Sequence, residues 1–467
     1  MAENSSVVLL RKAIEPGKNY IDACLTEDVS VYCINRATKQ KKKISFNVLF
    51  KNNHQFWLQN ESWEYFLLNE DFKKIADSAV KINKIPEPLQ EEVPVIMPAE
   101  TAKEIDRGFG SDFEAIVAMP EAERVEHIKE DKKKLDLLIA QKPKQKELVT
   151  EALVDTAKDT IMYNHAAIRD AMNLTDEEAR KHTQSLVDST YDLVKASTKL
   201  ISSSIFNDEL INTLVAKSNG TIIQHMTRVH LNGLAFLNYY NRLVSSSSFI
   251  DKLRINFAKN YRPFYEDLLP QLEPDKITLE KVFMGGMRAV SENDFVNWAV
   301  GFLIHDIGKA AAVEYHEGES AYNRNIVVEH VKVGYTSVMN KTNYPRDAGL
   351  ITGYHHEYYG DQAGYGYFRS YLEQYKKANP RSVQGFCIAF EIEPMVDCQA
   401  LAFFPAKVLE IIDVFDSVTD PNRKYRTVMT TEEALDMMHE EFINQHHKID
   451  AVLFDIFKKF IQELPKS

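Results

Sequence analysis

Phe302-Leu303-Ile304-His305-Asp306-Ile307-Gly308-Lys309 is the stretch on which the reading of this chain turns. The residues before it are largely apolar (Phe295, Val296, Trp298, Ala299, Val300) and predict the buried part of a helix that ends near the histidine. A His-Asp pair at a helix end either has a structural role or holds a metal ion. The other histidines of the chain decide between the two.

Outward from this pair lie His225, His330, the doublet His355-His356 and Asp413. All are imidazole or carboxylate and none is thiolate, so with His305 and Asp306 they suit iron, manganese or zinc rather than a cysteine-based structural site. Seven ligands exceed one ion but suffice for two, with Asp306 placed to bridge them. Two neighbouring ions serve phosphoester hydrolysis well, because they bind phosphoryl oxygens, acidify a shared water and offset charge on the leaving oxygen. Singly, each residue is weak evidence. An isolated His225 or His330 is more often a core or surface histidine, and Asp413 alone reads as a cap or a partner of Arg423 or Arg426. The ordered combination in helical context carries the weight. His439, His446 and His447 read as surface residues of the C-terminal amphipathic region.

In order, His225-Met226-Thr227-Arg228-Val229, His305-Asp306-Ile307-Gly308-Lys309, Glu329-His330-Val331-Lys332-Val333-Gly334, His355-His356-Glu357 and Ile412-Asp413-Val414-Phe415-Asp416-Ser417-Val418-Thr419 resemble the signature of the HD-GYP domain. That domain is a branch of the HD superfamily of metal-dependent phosphohydrolases. Arg423-Lys424-Tyr425-Arg426 is similar to the family's Arg-Pro-Tyr-Arg stretch, and the resemblance runs over about residues 190–463. It implies an all-α domain with two divalent ions, iron or manganese, and hydrolysis of cyclic di-GMP to pGpG and then GMP. It also implies metal ligation by His225, His305, Asp306, His330, His355, His356 and Asp413. Asp306 and Lys309 would be catalytic, with Lys309 near the scissile phosphate and Arg423 on a phosphate. Asp416 would orient a ligand or a water.

The chain departs from this pattern in the loop that names the family. It reads His355-His356-Glu357-Tyr358-Tyr359-Gly360-Asp361-Gln362-Ala363-Gly364-Tyr365-Gly366-Tyr367-Phe368, with Tyr358 where an arginine is expected and Phe368 in place of the proline. Tyr365 and Tyr367 are its candidate substrate contacts. Thr221 stands where three-metal members carry a glutamate, which favours two metals. Two insertions, one including Ser245 to Ser248 and residues 256–275 and the other around residues 371–397, read as surface elaborations or as a lid over the metals. Three functions remain open on these residues. They are a cyclic di-GMP phosphodiesterase, a catalytically weak receptor or partner-binding protein, and a phosphohydrolase for another nucleotide.

The remainder predicts a multidomain chain. Val29 to Ile34 and Ile44 to Phe50 alternate around Lys39-Gln40-Lys41-Lys42-Lys43, which predicts a hairpin with a charged tip in a small β-rich (α+β) domain over residues 1–80. Trp57, Trp63, Tyr65 and Phe66 are its expected core, and it would regulate or sense. A proline-rich linker (81–110), a helical connector (111–204) and the all-α phosphohydrolase domain (205–467) follow. Thr175-Asp176-Glu177-Glu178 opens a helix to about Ser203 whose stripe of Ala179, Leu186, Leu193 and Leu200 reads as intrachain packing or as a homodimer seam. A net charge of −12 excludes general affinity for nucleic-acid polymers. The start lacks a signal-peptide pattern, no apolar run is long enough to span a membrane, and the four cysteines form no CxxC, so a cytoplasmic protein is expected.

Overall fold

The computed structural model divides into two units, Met1–Pro94 and Val95–Ser467. It describes residues 7–9, 29–35, 38–39, 41–45, 63–68, 71, 111–141, 146–203, 222–270, 272–310, 324–359, 366–367, 387–396, 400–420 and 428–463. The expected linker, Trp57, Thr221, Tyr365 and Arg423 lie outside the described residues.

The first unit carries a four-stranded antiparallel sheet of β1 (Val7–Leu9), β2 (Ser30–Asn35), β3 (Lys41–Ser45) and β4 (Trp63–Leu68), in the order β1-β4-β2-β3. Val31 and Cys33 of β2 and Tyr65 and Leu67 of β4 are buried, at the period of two that puts alternate side chains on one face. The hairpin differs from its prediction in where the lysines fall. Lys41, Lys42 and Lys43 belong to edge strand β3, opposite Ile34, Cys33 and Tyr32. The turn closes earlier, at Thr38-Lys39, because the Asn35 side chain accepts from the Thr38 N–H at 3.0 Å and its carbonyl accepts from the Lys39 N–H at 3.0 Å. Lys39 takes φ 57° to make that turn. Charged side chains on the edge strand discourage pairing with another chain.

The second unit is helical. Its longer helices are α1 (Ser111–Ala118), α2 (Glu121–Gln141), α3 (Lys146–Ala171), α4 (Asp176–Ser203), α5 (Ile222–Val244), α6 (Ser247–Asn260), α7 (Arg262–Leu268), α8 (Glu292–Ile304), α9 (Arg324–Lys341), α10 (Arg346–Tyr354), α11 (Phe404–Thr419), α12 (Thr431–Met437) and α13 (Ala451–Glu463). No helix among the described residues is long and apolar enough to cross a membrane.

Helix α5 lies at the centre, packed against α3, α8, α11 and α13, and is buried on most sides, with His225, Arg228 and His230 buried along with its apolar residues. Ser291 caps α8 by accepting from the Asp294 N–H at 3.1 Å, and the helix ends one residue before His305, as its apolar run predicts. The box at Thr175 forms too, with Glu178 Oε2 accepting from the Thr175 N–H at 3.1 Å. In α4, Ala179, Leu186, Val187, Leu193, Val194 and Leu200 are all buried within the chain, where the helix packs on α2, α3, α8 and α9. Intrachain packing therefore consumes the stripe that also read as a dimer seam. Helices α1–α4, expected to form a connector, pack in the same unit as the histidine-bearing helices. On α13, Phe457 and Phe460 meet Phe236 of α5 at ring separations of 5.6 and 5.7 Å.

The first insertion forms α6 and α7 and is tied to the start of α13. Tyr265 Oη donates to Asp450 Oδ2 at 2.7 Å, and Tyr261 Oη to Asp455 Oδ2 at 2.7 Å. Of the second insertion, only residues 387–396 are described. There Phe390 stacks on Phe404 at 4.2 Å.

Candidate metal centre

All seven predicted ligands come together. His225 stands in the first turn of α5, His305 and Asp306 follow α8, His330 lies on α9, His355 and His356 end α10, and Asp413 lies on α11. Every one is buried. Donor atoms of Asp306, His330, His355 and His356 lie within 4.8 Å of one another, and so do those of His225, His305 and Asp306. Asp306 belongs to both groups. Its Oδ1 lies 3.0 Å from His330 Nε2 and 3.8 Å from His355 Nε2, while its Oδ2 lies 3.7 Å from His225 Nε2 and 3.6 Å from His305 Nε2. Asp413 also touches both, with Oδ1 2.9 Å from His225 Nε2 and Oδ2 3.8 Å from His356 Nδ1.

Local structure fixes which nitrogen each ring presents. The last carbonyls of a helix lack intrahelical donors. At the end of α8, Phe302 O accepts from His305 Nδ1 at 2.9 Å, and at the end of α10, Thr352 O accepts from His355 Nδ1 at 2.8 Å. His225 Nδ1 donates to Asp416 Oδ2 at 2.7 Å. With Nδ1 protonated, the His305 and His355 rings turn an Nε2 lone pair inward, which is how outer hydrogen bonds prepare histidines for a metal, and His225 turns its Nε2 to Asp413 Oδ1. The Nε2 atoms of His305 and His355 are buried and have no hydrogen-bond partner. Such orphaned buried nitrogens are rare in proteins and fit a metal ion.

Electrostatics favours the ligand states. Burial lowers His305 to about 3 and lowers His330 and His356 as well, keeping the imidazoles neutral. Burial alone would raise the Asp306 carboxyl, but Lys309, His305 and His330 together hold it well below the usual carboxylate range. Asp413, likewise buried, is held down by His225 and His356. His305, His330 and His356 are thus neutral beside ionised Asp306 and Asp413, a donor set that divalent iron, manganese or zinc accepts.

Lys309 Nζ donates to Asp306 Oδ2 from the 3-10 turn Ile307–Ala310. Gly308 lets that turn lie directly on α9, since a Cβ there would stand 1.9 Å from His330 O and 2.6 Å from Gly334 N, both backbone atoms. Gly308→Ala is therefore expected to force the turn off α9 and to cost about 1–3 kcal/mol. The check is a lower denaturation midpoint together with weaker Mn(II) binding. A variant with both properties of the native protein would refute this contact. Tyr367 donates its N–H to Gly353 O of α10 at 2.7 Å and rests its ring 5.0 Å from that of Tyr335 of α9.

Several contributors escaped the sequence reading. Arg228 grips Asp416 through Nε–Oδ1 at 2.6 Å and Nη2–Oδ2 at 2.9 Å, and reaches Asp420 Oδ2 at 2.6 Å. The helical spacings 225/228 and 416/420 were the available signal. His165 of α3 is wholly buried beside Met226, with Nε2 3.1 Å from Sδ, and burial lowers it to about 3 despite the attraction of Asp306. Nothing in the sequence around it marks this position. Of the expected surface histidines, His439 and His446 are exposed, whereas His447 packs on Phe264 at 4.8 Å.

Fold and site define a mostly helical protein with a small N-terminal antiparallel sheet and a buried His/Asp cluster that can hold metal. No protein-family model, curated protein or solved structure matches the chain.

Proposed function

We propose that the helical unit is a phosphodiesterase of the HD-GYP type, hydrolysing cyclic di-GMP to pGpG and onward to GMP at a His/Asp centre for two divalent ions, iron or manganese. The observation that carries this reading is the position of Asp306, whose two oxygens face two separate sets of imidazoles. One carboxylate shared by two donor sets is what a pair of ions with a bridging ligand requires. The order of the motifs along the chain supports the same reading.

When bound, the ions supply Lewis acidity toward the phosphoryl oxygens and acidify a water. His225, His305 and Asp306 would hold one ion, Asp306, His330, His355 and His356 the other, with Asp413 serving between them. Asp416 keeps the His225 proton on Nδ1 and its lone pair on Nε2. Lys309 carries an ammonium at the edge of the cluster and would donate to a phosphoryl oxygen as charge develops there. Burial of the imidazoles excludes bulk water from the cluster, which strengthens each of these interactions.

A second reading keeps the hydrolytic centre and changes the nucleotide. Tyr358, at the position of the family's arginine, sets its ring edge-on to Phe442 at 5.9 Å, with the Lys448 ammonium 5.9 Å above. A recognition arginine has there been exchanged for a packing residue. Purified protein loaded with Mn(II) or Fe(II) is expected to carry about two ions per chain and to convert cyclic di-GMP to pGpG and GMP, followed by chromatography. Binding without product under every metal would replace the enzyme by a receptor. Turnover of another nucleotide phosphoester but not cyclic di-GMP would select the second reading.

A further inference from the structure

A buried lysine–glutamate pair beside the cluster has no part in the hydrolytic scheme. Lys407, in the first turn of α11, is 1% exposed, as is Glu410. Its Nζ donates to the main-chain carbonyl of Glu357 at 2.7 Å and pairs with Glu410 Oε2 at 2.5 Å. The same ammonium lies 4.0 Å from the centroid of the Tyr359 ring. Tyr359 in turn donates its N–H to Lys448 O at 3.1 Å and its hydroxyl to Asp450 Oδ2 at 3.2 Å.

Taking the Lys407 ammonium out of water is costly, and burial raises the Glu410 carboxyl beside it to about 8 even against the pull of Lys407, so that the carboxyl is largely protonated at neutral pH. What the pair adds is a donor held in one direction. That donor meets the backbone directly after His356. The Glu357 N–H donates to Tyr354 O at 3.0 Å, and His356 O accepts from the Gly366 N–H at 3.1 Å, so the His356–Glu357 peptide unit is held at both ends and the Lys407 bond to Glu357 O holds the unit that follows it. Gly366 can approach because it lacks a Cβ, which would stand 2.8 Å from Glu357 Cα. Lys407 and Asp413 share α11, so one helix both offers a carboxylate to the cluster and grips the segment that offers His356.

We propose that Lys407 is a positioning residue of the metal centre: through the Glu357 carbonyl it holds His356 in place against Asp413 and thereby sets the site formed by Asp306, His330, His355 and His356. The inference rests on the reading of these residues as metal ligands.

The test compares Lys407→Met/Glu410→Gln, which removes the donor and its partner carboxyl together, with Glu410→Gln, which replaces a carboxyl that burial keeps largely protonated at neutral pH and retains the Lys407 donor. Amide exchange is read on metal-free protein, and Mn(II) binding by calorimetry. In the double variant, exchange over residues 354–359 should quicken by about tenfold, the loss of one hydrogen bond, while residues 292–304 keep their native rates. One Mn(II) site should weaken by roughly 10- to 100-fold and the other hold, and Glu410→Gln should stay close to native in both readouts. Native exchange and native binding at both sites in the double variant overturn the proposal. So does a uniform rise in exchange with both sites weakened alike, which would make Lys407 a general structural residue. Native protein that binds no Mn(II) overturns this proposal and the metal reading together. Absence of cyclic di-GMP turnover, with the Mn(II) and exchange results as expected, removes the proposed substrate and leaves the role of Lys407 standing.

Discussion

Asp306→Asn is expected to release both ions at once and to lower phosphodiester turnover by at least about 10³-fold, the equivalent of about 4 kcal/mol of lost charge stabilisation. The substitution preserves volume and removes one charge, so it isolates what the carboxylate does. Asp306 is 1% exposed and stands between two sets of imidazoles, with Lys309 on its Oδ2. An amide offers one oxygen and no charge, and cannot serve both sets. His225→Ala is the necessary comparison, because His225 belongs to only one of the two donor groups. That variant should retain one ion where Asp306→Asn retains none. Metal content after desalting and Mn(II) titration read the difference directly. If Asp306→Asn kept two ions, or lost no more than His225→Ala, the shared carboxylate would be wrong and the dinuclear reading with it.

The residues that make this comparison possible were legible because each motif is local. His305 and Asp306 follow an apolar helix, His355 and His356 end another, and Thr175 announces a helix start through short-range hydrogen bonds that any sequence window contains. What stayed hidden depends on which helix faces meet. Arg228 and Asp420 are 192 residues apart and become partners only when α5 packs on α11. The stripe of α4 has the same appearance in a sequence whether its partner is a second chain or α2 and α8 of its own. Lys41 to Lys43 were misplaced for a related reason, since a run of lysines suits a turn and an edge strand equally, and the Asn35 side chain decided between them. The loop after His356 was read for what it lacked. Two of its tyrosines are anchors, Tyr358 on Phe442 and Tyr359 on Asp450 and Lys407.

Arg228→Met should be the most destabilising single change outside the ligands, by about 3–5 kcal/mol at neutral pH, because it leaves Asp416 and Asp420 buried without their cation. Burial alone would raise the Asp416 carboxyl, but Arg228 and His225 hold it far below the ordinary range. In the unfolded chain the same group titrates near about 3.9. The unfolded state therefore takes up the proton first, and the stabilisation is complete at neutral pH and is lost progressively as pH falls below about 5. In the variant the two carboxylates repel without a cation between them, and acid relieves that repulsion by protonating them. The gap between native and variant denaturation midpoints should thus be widest near neutrality and narrow toward acid. A gap that does not change with pH would reduce Arg228 to a space-filling side chain. Mn(II) affinity should drop by roughly 10- to 100-fold, since Asp416 no longer fixes the His225 ring. Arg228→Lys restores a charge but not the two-pronged grip on Asp416. It should recover part of the stability and little of the metal affinity, which separates the role of Arg228 in holding the fold from its role in aiming His225.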